Sequence, residues 1–250
     1  QNGTTYFNFI ASHDGIGLRP AEGLLSDDEI TSLITTMQSF GGKISWRASD
    51  NGIKKPYEVN IALFDALKGT TDGIDNFAIE RFLCAHAIML ALEGIPAIYI
   101  HSFVATQNDN DKFEKTNENR AINRHQWDYE RLKSVLADTE SHHHIVFNSL
   151  KSLIEIRRNQ TAFHPNATQF TLHISEQVFG FWRQSDDRKQ SIFCVYNISN
   201  QTQTLLLSDL NLIVTDDWSD LITGSTLDET NESVDLEPYD FLWITNTVDK

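Results

Sequence analysis

The run Tyr6-Phe7-Asn8-Phe9-Ile10-Ala11 is apolar almost throughout and breaks off into Ser12-His13-Asp14-Gly15-Ile16-Gly17. Near-continuous apolar residues mark a strand of a parallel sheet that is buried on both faces. Polar groups placed just past the carboxyl end of such a strand stand where barrel enzymes keep their chemistry, so Asp14 is the first candidate catalytic residue.

The residues that follow alternate between the two kinds of element. Ser26 and Glu29 have the spacing of a capping box, and Asp27 and Asp28 add negative charge to a first helical turn. Ile30, Leu33, Ile34 and Met37 continue at helical spacing, and the helix is expected to stop near Gly41-Gly42. From there through Asp50, Asn51, Gly52 and Pro56 the composition predicts a long loop, of a length that in compact domains is functional or disordered. A longer helix is expected from Asp75 to Glu93, deeply buried in its second half and ended by Gly94, followed by a second apolar strand over Ile95-Pro96-Ala97-Ile98-Tyr99-Ile100. Strand, helix, loop, helix, strand is the alternation of a parallel sheet. A short helix around Tyr129 to Leu136 and a longer one from His143 to Asn159 follow. From Gln169 onward the texture changes to short β-rich runs at Phe170–Ile174, Val178–Trp182, Ile192–Ile198, Thr204–Leu207 and Phe241–Thr245, which predict a sandwich. Residues 1–165 are therefore expected to form one α/β part and residues 166–250 a small antiparallel β-sandwich domain. An eight-stranded barrel needs about 200 to 250 residues, so an α/β part of about 165 with two evident parallel strands cannot close one alone.

Composition excludes several classes. Acidic residues outnumber basic ones 35 to 20, a net charge of -15, and no basic stripe offsets that field, so no nucleic-acid partner is expected. No run of about 18 apolar residues offers a membrane span, and nothing resembles a signal peptide. Cys84 and Cys194 lie far apart within apolar runs, which suits buried thiols in a reducing compartment, and a cytoplasmic location is expected. His142, His143 and His144 come without a carboxylate or cysteine at metal-ligand spacing and read as the solvated start of a helix, and no calcium loop is visible. Phe179, Phe181, Trp182 and Trp243 read as alternating core residues of the sandwich.

Four segments together resemble the alpha-amylase superfamily of retaining α-glycosidases and transglycosidases, and within it the sucrose phosphorylase group. Phe9 to Gly17 resembles the seventh barrel strand with its His-Asp pair, and Gly94-Ile95-Pro96-Ala97-Ile98-Tyr99 is similar to the Gly-x-Pro-x-x-Tyr pattern of the eighth. Lys115-Thr116-Asn117 with Ala121-Ile122-Asn123-Arg124-His125 resembles a segment typical of the phosphorylases, and Tyr57-Glu58-Val59-Asn60 with Phe64-Asp65-Ala66-Leu67 resembles their mobile active-site loop. The resemblance covers nearly the whole chain. It implies the C-terminal portion of a (β/α)8 TIM barrel followed by the β-sandwich, from a parent enzyme that forms a covalent glucosyl-enzyme and lets phosphate attack it.

Residue by residue, the resemblance makes Asp14 the carboxylate that hydrogen-bonds the sugar and stabilises developing positive charge, and His13 a ligand of the same sugar. Arg124 is expected to bind the glucosyl group, and Tyr57 and Glu58 to serve acceptor and phosphate in turn. Sucrose phosphorylases typically carry Asp-Leu-Tyr-Gln-Val-Asn where this chain has Lys55-Pro56-Tyr57-Glu58-Val59-Asn60, exchanging an acid for a base and an amide for an acid. The exchange counts against sucrose as the natural substrate. Lys55, with Arg19, is expected to supply charge for phosphate or for an anionic acceptor such as glycerate. The family's nucleophile and acid/base lie on earlier strands, so the chain taken alone is expected to be inert and to need the missing N-terminal part of the barrel as its partner. The expected small molecules are an α-glucoside and inorganic phosphate as co-substrate, with no cofactor and no metal. A hydrolase or transglycosidase of the amylase type, or a non-catalytic carbohydrate-binding fragment, remain alternatives at this point, and the oligomeric state is open.

Overall fold

A computed structural model describes residues 4–48, 54–210, 217–227 and 232–246. It divides into two compact units, one of Gln1–Asn8, Leu83–Ala97 and Leu150–Lys250, the other of Phe9–Phe82 and Ile98–Ser149.

The first unit is built on a six-stranded antiparallel sheet. Its strands lie in the order Thr226–Leu227, Trp218–Asp220, Phe241–Asn246, Ser191–Asn197, Val178–Gln184, Thr168–His173. Side chains alternate across it, so each face has its own core. On one face Val178, Phe193, Val195 and Ile244 meet Leu205 and Leu236 from the two-stranded sheet Gln203–Leu206/Ser233–Leu236, giving a lopsided sandwich of six strands on two. On the other, Phe181 and Trp243 are buried, and Phe163 packs edge-on to Trp243 with ring centroids 4.9 Å apart. The aromatic residues expected in one core thus serve two, since Trp182 stacks on Phe193 on the sandwich side. Trp243 Nε1 donates to Tyr196 Oη at 3.0 Å, and Tyr196 donates to the Ala87 carbonyl at 3.2 Å, which satisfies the polar ends of two fully buried rings.

The two apolar runs do pair in parallel, Phe7 with Ile95 and Asn8 with Pro96, although each strand is only two residues long. Burial on both faces does not follow. Tyr6, Phe7 and Ile95 are 68%, 66% and 48% exposed, because no third strand flanks the pair among the described residues. Gly94, at φ +127°, lets the backbone pass beneath Tyr6, where a Cβ would stand 2.7 Å from the Tyr6 carbonyl oxygen.

The helix Ala78–Ala91 leaves orphan carbonyls at its C-terminal end, where a helix also presents partial negative charge. Two arginines close it. Arg157 Nε donates to Leu90 O at 2.6 Å and Arg183 Nη1 to Ala91 O at 2.5 Å. Arg183 Nη2 also donates to the carbonyls of His164 and Ala167, and Arg157 Nη2 to those of Gly94 and Phe163. Arg183 is fully buried, and burial lowers both guanidinium pKa values from a starting point so high that both side chains stay charged. Cys84 and Cys194 are buried free thiols in the same unit, and burial pushes Cys84 up to about 12.

In the second unit the helix Asp27–Ser39 carries the expected capping box, with Ser26 Oγ accepting from the Glu29 amide and Glu29 Oε2 accepting from the Ser26 amide at 2.7 Å. Such a cap contributes about 1 kcal/mol. Ile34 and Met37 on its inner face pack with Leu18, Phe40, Ile44, Val59 and Ile61. The long loop expected after Gly42 is instead a β-hairpin, Lys43–Ala48 paired antiparallel with Lys54–Asn60, whose second strand also pairs with Ile16–Gly17. The tip, residues 49–53, lies outside the described residues. The register runs Ser45 to Glu58 and then Trp46 to Pro56, which leaves Tyr57 as the extra residue of a bulge. Pro56 breaks the ladder where the bulge already interrupts it, so its missing N–H costs little there.

The three histidines are not a solvated helix start. His142 stacks on Phe64 with ring centroids 4.7 Å apart, His143 is buried with Nδ1 on the Val104 carbonyl at 2.7 Å, and His144 Nδ1 meets Leu136 O at 2.8 Å. An imidazole stacks on a neighbouring ring and still hydrogen-bonds a carbonyl, which a polar-residue count does not anticipate. Among the described residues no helix is long and apolar enough to cross a membrane, and no group of three or more His, Cys, Asp or Glu could hold a metal ion.

Candidate active site

Asp14 ends a short irregular segment that three neighbours hold in place. Its amide donates to Ser12 Oγ at 3.2 Å, Asn60 Nδ2 donates to its carbonyl at 2.7 Å, and Asn123 Nδ2 donates to Ser12 O at 3.1 Å. Gly15 follows at φ +112°, a conformation that side chains rarely adopt, and a Cβ there would lie 2.4 Å from the Val59 carbonyl oxygen. Gly15→Ala is therefore expected to cost about 2–4 kcal/mol from backbone strain and overpacking together. A fall in the urea midpoint checks it.

Two guanidinium groups and an imidazole converge on one oxygen of Asp14. Oδ1 lies 2.8 Å from Arg120 Nη1, 3.2 Å from Arg124 Nη2 and 3.3 Å from His13 Nε2. Arg124 also donates from Nε to the His13 carbonyl at 2.8 Å, so one guanidinium fixes both members of the His-Asp pair. The Arg124 backbone is placed by Asn123, whose carbonyl accepts from Tyr99 Oη at 3.0 Å. Burial raises the Tyr99 pKa, which keeps the phenol a donor.

Glu58 enters from the hairpin. Buried to 5% exposure, it takes both arms of Arg120, Nε on Oε1 at 3.0 Å and Nη2 on Oε2 at 2.8 Å. Asn60, beside it on the same strand, also bonds Oε1 and accepts from Ser45 Oγ at 2.6 Å. Hydrogen bonding to Glu58, followed by the charges of Glu58 and Asp14, raises the Arg120 pKa. The result is a chain of alternating charge, Glu58–Arg120–Asp14–Arg124, with the Asp14 side chain 41% and the Arg120 side chain 41% exposed to the open side.

Of the residues singled out in the sequence, His13, Asp14, Arg124 and Glu58 are therefore brought together. Tyr57 lies within electrostatic reach of Arg120, and its carbonyl accepts from the Leu18 amide at 2.9 Å. Lys55 is not in the cluster. It pairs with Arg47 and lines a separate cleft of about 450 Å³ with Trp46, Pro56, Glu22 and Asp27. Arg120 was missed by sequence reasoning, although it sits inside the segment that drew attention and four residues before Arg124. Arg120 lies in the 3-10 helix Asn119–Asn123 and Arg124 is its C-cap, and both guanidinium groups reach Asp14.

The family model described as Maltogenic Amylase, C-terminal domain, matches residues 169–243. A glucosylglycerate phosphorylase of Spirochaeta thermophila is 36% identical over 254 residues, covering 98% of this chain and 43% of that protein. A sucrose phosphorylase of Streptococcus mutans is 24% identical over 205 residues, covering 81% and 40%. The crystal structure of sucrose 6F-phosphate phosphorylase from Thermoanaerobacter thermosaccharolyticum superposes with a TM-score of 0.64 at 22% identity, over 92% of this chain and 40% of that one. The chain fits the alpha-amylase superfamily. Within it, the fit is to the sucrose phosphorylase group. It spans about two fifths of the length of these relatives, 43% in the first case.

Proposed function

We propose that this chain carries the sugar-stabilising half of the active site of a retaining α-glucoside phosphorylase. The observation that carries the reading is the single Asp14 oxygen held by Arg120, Arg124 and His13 at the open side of the cluster. A carboxylate fixed in this way keeps its aim. It accepts from ring hydroxyls and stabilises the positive charge that develops as the glycosidic bond breaks. His13, 67% exposed at its side chain, donates to a neighbouring hydroxyl, and Arg124 locks the pair.

In this reading a nucleophilic carboxylate attacks the anomeric carbon while an acid/base group protonates the departing oxygen. Phosphate then attacks the glucosyl-enzyme from the face the departing group left, opposite the carboxylate, which releases α-glucose 1-phosphate and frees the nucleophile. The two carboxyl groups of such a reaction stand about 5–5.5 Å apart and must be free to act. Glu58 is buried in a bidentate ion pair and Asp14 is held by two guanidinium groups and an imidazole, so neither fits, and both groups come from residues outside this segment. The 250 residues by themselves are then inert. The exposed faces of Tyr6, Phe7 and Ile95 are what a parallel pair would cover with the neighbouring strands of a closed barrel.

Glucosylglycerate is the preferred substrate in this reading, supported by the higher identity to glucosylglycerate phosphorylases than to a sucrose phosphorylase. Incubating the full-length gene product with glucosylglycerate or sucrose, with and without phosphate, tests it. Phosphate-dependent release of α-glucose 1-phosphate, faster from glucosylglycerate, is expected. Release of free glucose at the same rate without phosphate would assign the enzyme to the hydrolases.

A further inference from the structure

We propose, building on the phosphorylase reading, that Arg120 forms an oxyanion site that opens when a glucosyl ring occupies Asp14. It takes in turn the carboxylate of an anionic acceptor and the phosphate that replaces it. A guanidinium has five N–H donors. In Arg120 three are engaged, Nε and one on Nη2 with Glu58 and one on Nη1 with Asp14, and the outer hydrogens of Nη1 and Nη2 stay open.

The two contacts are unequal. The Glu58 pair is bidentate and made to a carboxylate only 5% exposed, so it fixes the plane of the guanidinium. The Asp14 contact is single and lies on the 41% exposed side. With no sugar present, two carboxylates, Asp14 and Glu58, balance two guanidinium groups, Arg120 and Arg124, and an added anion also meets a chain of net charge -15. The anion therefore binds poorly. Sugar hydroxyls donating to Asp14 take over the role of Nη1, and the Nη1–Nη2 edge then faces outward as a fork suited to a carboxylate or a phosphate.

Sugar and oxyanion thus bind cooperatively, and each favours the other by the same factor. Glu58 acts as the positioning residue, because the carboxylate holds the fork rigidly in a way the group's usual amide does not. Lys55, in its separate cleft, has no part in it.

The test uses the full-length enzyme and its Arg120→Gln, Arg120→Lys and Glu58→Gln variants. KM is measured for phosphate in phosphorolysis, and for glycerate and the neutral glycerol in the reverse direction from α-glucose 1-phosphate. In Arg120→Gln the KM for phosphate and for glycerate is expected to rise about tenfold or more, and that for glycerol several-fold less. Lysine restores part of the anion affinity, and Glu58→Gln shifts it in the same direction by a smaller factor, which keeps the test sound if Arg120→Gln folds poorly. Glucose at saturation should tighten phosphate binding to the wild type in calorimetry. A glycerate effect without a phosphate effect would confine the site to the acceptor and contradict its double use. If anionic and neutral KM values move together, or glucose leaves phosphate affinity unchanged, the oxyanion site is wrong while the phosphorylase reading stands. A wild type that never transfers glucose to phosphate removes the reading itself.

Discussion

Asp14→Asn in the full-length enzyme is expected to lower kcat/KM about a thousandfold while the melting temperature stays within a few degrees. Asparagine suits a turn before glycine as well as aspartate does, so the local backbone is preserved. What changes is electrostatic. The amide brings no negative charge to meet a developing oxocarbenium ion, and if its nitrogen faces the donors of Arg120 and Arg124 it repels them. The loss should fall on the chemical step, so kcat drops more than substrate affinity, and initial rates over a range of glucoside concentrations measure both. A loss below tenfold would leave Asp14 as an ordinary turn residue.

Arg183→Met should have the largest effect on stability. Removing the side chain deprives Ala91, His164 and Ala167 of a buried donor and takes a cation from a helix C-terminus. Each buried acceptor left without a partner costs about 1–3 kcal/mol, and methionine recovers part of the packing, so about 3–5 kcal/mol is expected. In a protein of this size that lowers the melting temperature by roughly 10 °C or more, as calorimetry would show. Arg183→Lys should recover little, since one ammonium cannot reach carbonyls on both sides at once. A change within 2 °C, on the same scale of a few degrees per kcal/mol, would mean that water replaces the guanidinium without penalty.

The helix Asp27–Ser39 was legible because its start is chemical, a serine and a glutamate three residues apart that cap each other. The longer sheet strands were legible because alternation over six or seven residues leaves a pattern, whereas Trp218–Asp220, Thr226–Leu227 and Ser233–Leu236 are too short to leave one. The hairpin was misread for a different reason. Pro56 within Lys54–Asn60 argues against a strand, and only the three-dimensional register shows that it sits beside a bulge where the ladder is already open.

Within the site, His13, Asp14 and Arg124 could be found from local motifs because each lies beside residues that mark a strand end or a segment typical of the group. Arg120 could not be found in the same way. Its role depends on Glu58, 62 residues away, whose side chain turns inward on a strand that sequence reasoning took for a loop. Lys55 shows the converse. Charge alone suggested an anion site, but Lys55 lines another cleft. Arg183 went unnoticed because one basic residue at the end of an apolar run reads as a solvated strand end. The carbonyls that receive it belong to Ala91, at the end of a helix 92 residues earlier, and to His164 and Ala167.

The most direct measurement is a crystal structure of the full-length protein with glucose and phosphate bound. The expected result is a glucosyl ring with hydroxyls about 3 Å from Asp14 and His13, with Arg120 still paired to Glu58 and released from Asp14 toward the phosphate. Sugar bound elsewhere, with Asp14 unchanged between Arg120 and Arg124, would contradict the account.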